Sequence, residues 1–165
     1  MIVESPRLRL RELDEGDAEF VFRLVNEPSF LANIGDKGVR NLDDARRFIR
    51  EGPWTCQDKS GYGQFLTELK KDGAPIGVCG SLYRDSLDVT DVGIALLPEY
   101  WKRGYAFEAA TAVIEYGRST LGLDTVVGLT SAENTASIRL LEKMGMEFKR
   151  MVKMSDDDPG TALYS

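Results

Sequence analysis

Two short stretches of this sequence hold residues whose types and spacing point to chemistry. The first is Pro98-Glu99-Tyr100-Trp101-Lys102-Arg103-Gly104-Tyr105-Ala106, which joins an apolar run, Val92 to Leu97, to a long amphipathic pattern starting at about Tyr105. Strand, basic glycine-containing turn and helix start thus follow one another. The first turn of a helix has backbone N–H groups without intrahelical partners, at the positive end of its dipole. Gly104 lets a ligand reach that backbone with no Cβ in the way, and Lys102 and Arg103 add charge. Such a turn suits a phosphate or pyrophosphate, each N–H to a charged oxygen contributing about 1.5–3 kcal/mol. It is neither a Walker loop nor a dinucleotide fingerprint, because the required glycine spacings are absent. The second stretch starts at Asn134, a helix N-cap whose amide can bond a free N–H or a ligand amide; Ser137 lies one turn in, on the same side.

Composition narrows the chemistry. There is no histidine among the 165 residues, so Ser-His-Asp, Cys-His and His-metal chemistry are excluded and proton transfer falls to carboxylates, Tyr, Lys, backbone or water. Cys56 and Cys79 match no metal spacing and read as reduced packing residues, so no metal is expected. A net charge of −6 disfavours nucleic acid and suits a cationic substrate such as an amine. No run of 18 apolar residues and no basic, apolar leader are present, so a cytoplasmic protein with no membrane association is the expectation.

The elements that position these residues follow from periodicity. Arg7-Leu8-Arg9-Leu10-Arg11 alternates as a strand. Phe20, Val21, Leu24 and Val25 are spaced as a helix capped by Asp14 or Asp17 and ended by Pro28. Residues 28–41 read as a loop, and a second helix runs from Asn41 to Gly52-Pro53. Gln64–Leu69 and Ile76–Leu82 form a hairpin, and Val89–Leu97 adds a third strand, with Gly93 marking a bulge. The helix Tyr105 to about Thr120 sets Phe107, Ala110, Ile114, Gly117 and Leu121 on one face. A strand Thr125–Thr130, a helix Asn134–Met144 capped by Gly145, a strand Met146–Val152 and a short last strand Ala162–Ser165 complete the order. The whole chain, 1–165, reads as one α/β (α+β) domain: three layers, a mostly antiparallel central sheet flanked by helices, with parallel crossover units.

The first stretch resembles the acetyl-CoA loop of the GCN5-related N-acetyltransferases (GNAT), Gln/Arg-x-x-Gly-x-Gly/Ala, with Trp101, Gly104 and Ala106 at its first, fourth and sixth places. Trp101 departs from that pattern but is similar to the ribosomal-protein N-terminal (RimJ/RimL-like) branch, whose Tyr-Trp-x-Lys-Gly-Tyr-Ala-x-Glu-Ala is matched by Tyr100, Trp101, Gly104, Tyr105, Ala106, Glu108 and Ala109. Asn134 to Met146 resembles the family's Asn-x-x-Ser/Ala-x-x-x-x-Glu-Lys-x-Gly-Phe, and the element order is that of the same fold.

The resemblance implies an acetyl-CoA-dependent N-acetyltransferase in which a primary amine attacks the thioester directly in a ternary complex, without a covalent enzyme intermediate. Lys102, Arg103, Gly104, Tyr105 and Ala106 would hold the pyrophosphate. Leu96 and Leu97 would pair with the pantetheine arm, and Asn134 and Ser137 would contact the arm or thiol. Asp91, where the ribosomal-type branch has Glu or Asp, is the candidate general base. Many members have Tyr at the position of Leu141 as the acid for the leaving thiolate; here that role passes to Ser137 or water. Glu108, in the first helical turn, reads as structural. An aspartate of pKa ~3.9 suits an α-amine of ~7.7–8.0, costing about 1 kcal/mol to deprotonate at pH 7, better than an alkylammonium of ~10.4, costing about 4–5 kcal/mol.

The acceptor, a small-molecule amine or a protein N-terminus, is not legible, and either a monomer or a homodimer fits. Two other readings stand beside the enzyme: a non-catalytic CoA sensor and a phosphate-binding interaction domain. Because the chain stops at Ser165, its last strand is expected to be short.

Overall fold

The computed structural model describes residues 2–55 and 62–165; Cys56 lies outside them. The Arg-Leu alternation forms strand β2 (Leu8–Glu12), with Leu8 and Leu10 fully buried. Before it comes β1 (Ile2–Glu4), three residues whose pattern is too short to announce a strand. With β3 (Gly63–Leu69), β4 (Pro75–Arg84) and β5 (Val89–Leu96) they make an antiparallel sheet of order β1-β2-β3-β4-β5. A second antiparallel sheet contains β6 (Gly128–Thr130), β7 (Phe148–Val152) and β8 (Thr161–Tyr164) in the order β6-β8-β7. The last strand is short, as expected, yet it is the central one of its sheet.

The two sheets touch at a parallel bridge between Asp91 and Val127, the one parallel pairing among the described residues. It is closed by the Val92 N–H to the Val127 oxygen and the Val127 N–H to the Thr90 oxygen, both 2.9 Å. Beyond the bridge β5 and β6 are not paired, so the joined sheet splits there.

Helices α1 (Ala18–Val25), α2 (Pro28–Asn33) and α3 (Leu42–Glu51) pack on one face, where Val21, Leu24, Phe30, Ala45, Ile49 and Trp54 meet Val78 and Leu97. Helix α4 (Tyr105–Thr120) packs on the other, where Ala109 and Val113 meet Phe65, Val92 and Leu96. Helix α5 (Thr135–Lys143) lies against the second sheet through Leu141, and Gly145, at φ +87°, turns the chain so that the Met146 N–H reaches the Leu141 oxygen at 3.0 Å. Asp14 caps the 3-10 turn before α1 in a reciprocal box with Asp17.

Four sequence expectations change. Pro28 does not merely follow a helix: it starts α2 at the first helical position, where a missing N–H leaves nothing unpaired, so part of the 28–41 loop is helical. The buried stripe of α4 is centred on Tyr105, Ala109, Val113 and Gly117, flanked by Ala110 and Ile114; Phe107 is only half-buried, under the Lys143 ammonium 4.5 Å from its ring centre, and Leu121 lies beyond the helix. Gly93 marks no bulge, for it faces Gly80 in unbroken register. An added Cβ there would lie 2.6 Å from the Gln64 Nε2, so a side chain at this position requires the Gln64 amide to shift. Finally, the parallel crossovers shrink to the single bridge at Asp91.

Candidate active site

The parted strands define the site. In an antiparallel pair successive residues turn their backbone groups alternately toward and away from the partner. Leu97 donates its N–H to the Ile76 oxygen at 2.9 Å, so Leu97, Ala95 and Gly93 face β4. Val92, Ile94 and Leu96 face the other way, and past the bridge no described strand takes up the groups of Ile94 and Leu96. Of the expected pair Leu96 and Leu97, only Leu96 therefore lies on the free edge; its companion is Ile94. The correction follows from the two-residue period of a strand once its register is known. The Leu96 oxygen accepts the Trp101 indole N–H at 2.9 Å, which fastens the following turn to the strand end.

That turn is strongly bent: Lys102 has φ +60° and Gly104 φ +81°, both left-handed. Lys102, Arg103 and Gly104 are exposed, Tyr105 is buried and Ala106 half-buried. The first α4 bond runs from the Glu108 N–H to the Gly104 oxygen, leaving the N–H groups of the turn and first residues outside the helical ladder. Arg7 and Ser5, which the sequence reading did not single out, hold the turn. The Glu108 carboxylate accepts from the Ser5 hydroxyl at 2.6 Å, the Arg7 N–H at 2.7 Å and the Arg7 Nε at 2.7 Å. Arg7 Nη1 donates to the Arg103 oxygen at 3.0 Å, and its guanidinium covers the Tyr105 ring. Burial alone would raise the Glu108 pKa, but the Ser5 and Arg7 bonds outweigh it and hold it below the usual value. No sequence signal marks Arg7, since its partners lie about a hundred residues away. An open groove of about 730 Å³ runs from Gly104 past Phe107 and Thr111 to Ser119 and Lys143, along the outer side of α4 and away from Asp91.

At the start of α5 the Asn134 Oδ1 accepts the Ser137 N–H at 3.2 Å. The Asn134 Nδ2 and the half-buried Ser137 hydroxyl bond no other described residue. Leu141 is buried on Gly128, where an added Cβ would lie 2.3 Å from its side chain. Because β5 and β6 run parallel at their bridge, α4 and α5, which follow them, both begin at the open end of the split. This is the crevice beyond parallel strand ends where α/β folds bind ligands.

Asp91 stands at the closed end of the split, 3% exposed, on the face covered by α1–α3. Arg84, its diagonal neighbour on β4, donates from Nε to Oδ1 at 3.0 Å and from Nη2 to Oδ2 at 3.3 Å. Burial raises the Asp91 pKa and outweighs the opposing effect of Arg84. Cys79 is fully buried and its thiol pKa is pushed far up by burial, so it is no nucleophile.

The architecture is that of solved acetyltransferases. It matches one from Agrobacterium tumefaciens str. C58 with a TM-score of 0.81 at 24% identity, covering 99% of this chain and 92% of that one. It matches a RimL ribosomal L7/L12 alpha-N-protein acetyltransferase in complex with coenzyme A with a TM-score of 0.85 at 16% identity, covering 99% and 96%. The uncharacterized N-acetyltransferase YoaA of Bacillus subtilis (strain 168) is 28% identical over 161 residues, covering 97% of this chain and 90% of its own. The sequence profile of the acetyltransferase (GNAT) domain matches residues 7–147, and the chain belongs to that family. It is an acetyltransferase, of a fold that uses acetyl-CoA.

Proposed function

We propose that this enzyme transfers acetyl from acetyl-CoA to a primary α-amine, by direct attack within a ternary complex. One observation carries the reading: β5 leaves β6 immediately after Asp91, so a free strand edge leads from a buried carboxylate to the glycine turn. The residues fit the co-substrate. The free-edge N–H and C=O of Ile94 and the N–H of Leu96 suit an amide-bearing arm added as a strand, the Leu96 oxygen being taken by Trp101. The N–H groups from Lys102 to Ala106, with the Lys102 and Arg103 charges, suit a pyrophosphate. Asn134 Nδ2 and the Ser137 hydroxyl offer donors at the facing helix start. Acetyl-CoA supplies the activated acetyl thioester.

The chain's own groups do the rest. Asp91 accepts the amine proton, directly or through water, its raised pKa making it a better base than an ordinary aspartate. A free-edge N–H polarises the acetyl carbonyl. Ser137 or water protonates the leaving thiolate, since the buried Leu141 has no proton to give. Likeness to the RimL enzyme agrees with an α-amine acceptor. A CoA sensor is the second reading, favoured by Leu141 and by the hold of Arg84 on Asp91. Calorimetric titration of acetyl-CoA followed by an amine panel with thiol-release readout separates them. Binding with turnover supports the transferase, binding without turnover of any amine the sensor, and no binding overturns both.

A further inference from the structure

Resting on that transferase reading, we infer that Gln64 is a specificity residue of the acceptor site: its side-chain amide, laid across β4 onto Gly93, donates to a carbonyl oxygen on the carbon next to the one that bears the reacting amine. The acceptor is then an α-aminoacyl compound, an amine with a neighbouring carbonyl, and not a simple alkylamine or polyamine.

The register builds this arrangement. Gln64 on β3 faces Gly80 on β4, and Gly80 faces Gly93 on β5, so the three form one row across the sheet. Side chains alternate between the faces of a strand, so Asp91, Gly93 and Ala95 share one face. It is the face on which Ala95 packs against the core under α1–α3. Two glycines give Gln64 its reach. A Cβ on Gly80 would lie 1.8 Å from the Gly63 oxygen and 2.8 Å from the Gln64 Cα, so a bare Gly80 lets β3 press closely on β4. With no side chain on either glycine in its way, the Gln64 amide extends until its Nε2 lies 2.6 Å from the place that a Gly93 Cβ would occupy. Gly93 and Ala95 keep partial exposure, whereas Asp91 and Leu97 on either side of them are buried, so the amide ends at the opening on this face.

Gln64 itself is 5% exposed, and the next row of the same face, Leu66, Val78 and Ala95, is apolar. A leucine would fill the space without the cost of burying an amide. A primary amide has two donors and an oxygen with two lone pairs, so a bond within the protein leaves capacity for a ligand. The distances suit an α-aminoacyl group. Residues two apart on a strand, as Asp91 and Gly93 are, lie about 6.5–7 Å apart. Hydrogen bonds of about 3 Å, from the amine to Asp91 and from Nε2 to the carbonyl oxygen, span that gap when amine and carbonyl stand on adjacent carbons. Arg84 grips Asp91 at 3.0 and 3.3 Å from the side of Val89, its partner in register, and so leaves the Gly93 side to the acceptor.

The test uses the whole enzyme at saturating acetyl-CoA. Its acceptors are L-aminoacyl amides and dipeptides, each paired with the amine of the same side chain that has a methylene in place of the first carbonyl, compared per unprotonated amine. The expected kcat/KM is about 5–100-fold higher for the carbonyl member of a pair, the effect of leaving a buried donor without its acceptor. Gln64→Met raises the KM of the best carbonyl acceptor about tenfold with little change in kcat, narrows the preference by the same factor and leaves the acetyl-CoA Kd as it was. Gln64→Asn, which keeps an amide but draws it back from Gly93 by one methylene, loses the same preference. A merely structural Gln64 would not move that ratio. Equal turnover of the two members by the wild type, or a preference unchanged in both variants, overturns the inference and leaves the transferase reading intact. If no amine turns over, the same pairs are titrated calorimetrically into the CoA complex: a tenfold preference for the carbonyl member supports the inference, and no preference overturns it. Failure of acetyl-CoA itself to bind identifies the transferase reading as the one that failed, and the inference falls with it.

Discussion

The two ends of the split sheet are built differently. At the proposed donor end the available groups are backbone N–H and C=O, shaped by left-handed turns at Lys102 and Gly104 and tied down by Glu108, Ser5 and Arg7 at 2.6–3.0 Å. At the proposed acceptor end they are charged side chains, Asp91 and Arg84, paired at 3.0 and 3.3 Å. Backbone groups are the same whatever the side chains, so the donor end suits a ligand shared by many relatives. Side chains change freely between sequences, so the proposed acceptor end is where an individual enzyme becomes particular.

The sharpest break between the ends is Asp91→Asn. It is expected to lower kcat by about 10²–10⁴-fold, the worth of a general base, while the acetyl-CoA Kd stays within twofold by calorimetry. A matching loss of acetyl-CoA affinity would show that the ends are not separable. Wild-type kcat/KM should rise with pH through a limb above the ordinary aspartate value of ~3.9, because Asp91 must be ionised to accept a proton and burial raises its pKa.

Gly104→Asp is the converse. A side chain at φ +81°, within 3.2 Å of Arg7, and a negative charge at the phosphate turn should weaken acetyl-CoA binding about 100-fold. Unchanged calorimetric affinity would remove the turn from the donor site.

Glu108→Gln probes the tie beneath that turn. It should cost about 1–2 kcal/mol in urea unfolding at neutral pH, since three donors lose a charged acceptor. The Glu108 pKa is depressed in the folded state, so its contribution is present above the unfolded pKa and disappears as pH falls through the folded one. The gap between variant and wild type should therefore close in acid; a gap independent of pH would mean that charge is not what the tie supplies. Ser137→Ala should have the smallest effect, lowering kcat severalfold at most, because water can take the proton role of its hydroxyl. A loss of about 100-fold would make Ser137 the principal acid.

Legibility followed the range of the interactions. The turn at Gly104 and the cap at Asn134 were readable because strand, turn and helix start are local in sequence, and both were found as expected. Strands β2 to β5 and helix α4 were readable from period two and from amphipathic spacing. The start of α2 at Pro28 was misread because proline both ends one helix and begins another. Arg7 was invisible because its role depends on Glu108, 101 positions later, and Arg84 because its spacing from Asp91 acquires meaning only through the register of β4 on β5.

By itself, then, the sequence determined which residues suit an anion, which can cap a helix, that no histidine chemistry exists, and the order of strands and helices apart from β1 and α2. These are properties of residue types and of neighbours within a few positions. Only the tertiary structure decided where β5 leaves β6, that Ile94 and Leu96 rather than Leu97 face the opening, and that Asp91 sits buried against Arg84. Those facts depend on register and burial, which arise when distant segments exclude water together, and no local pattern encodes them.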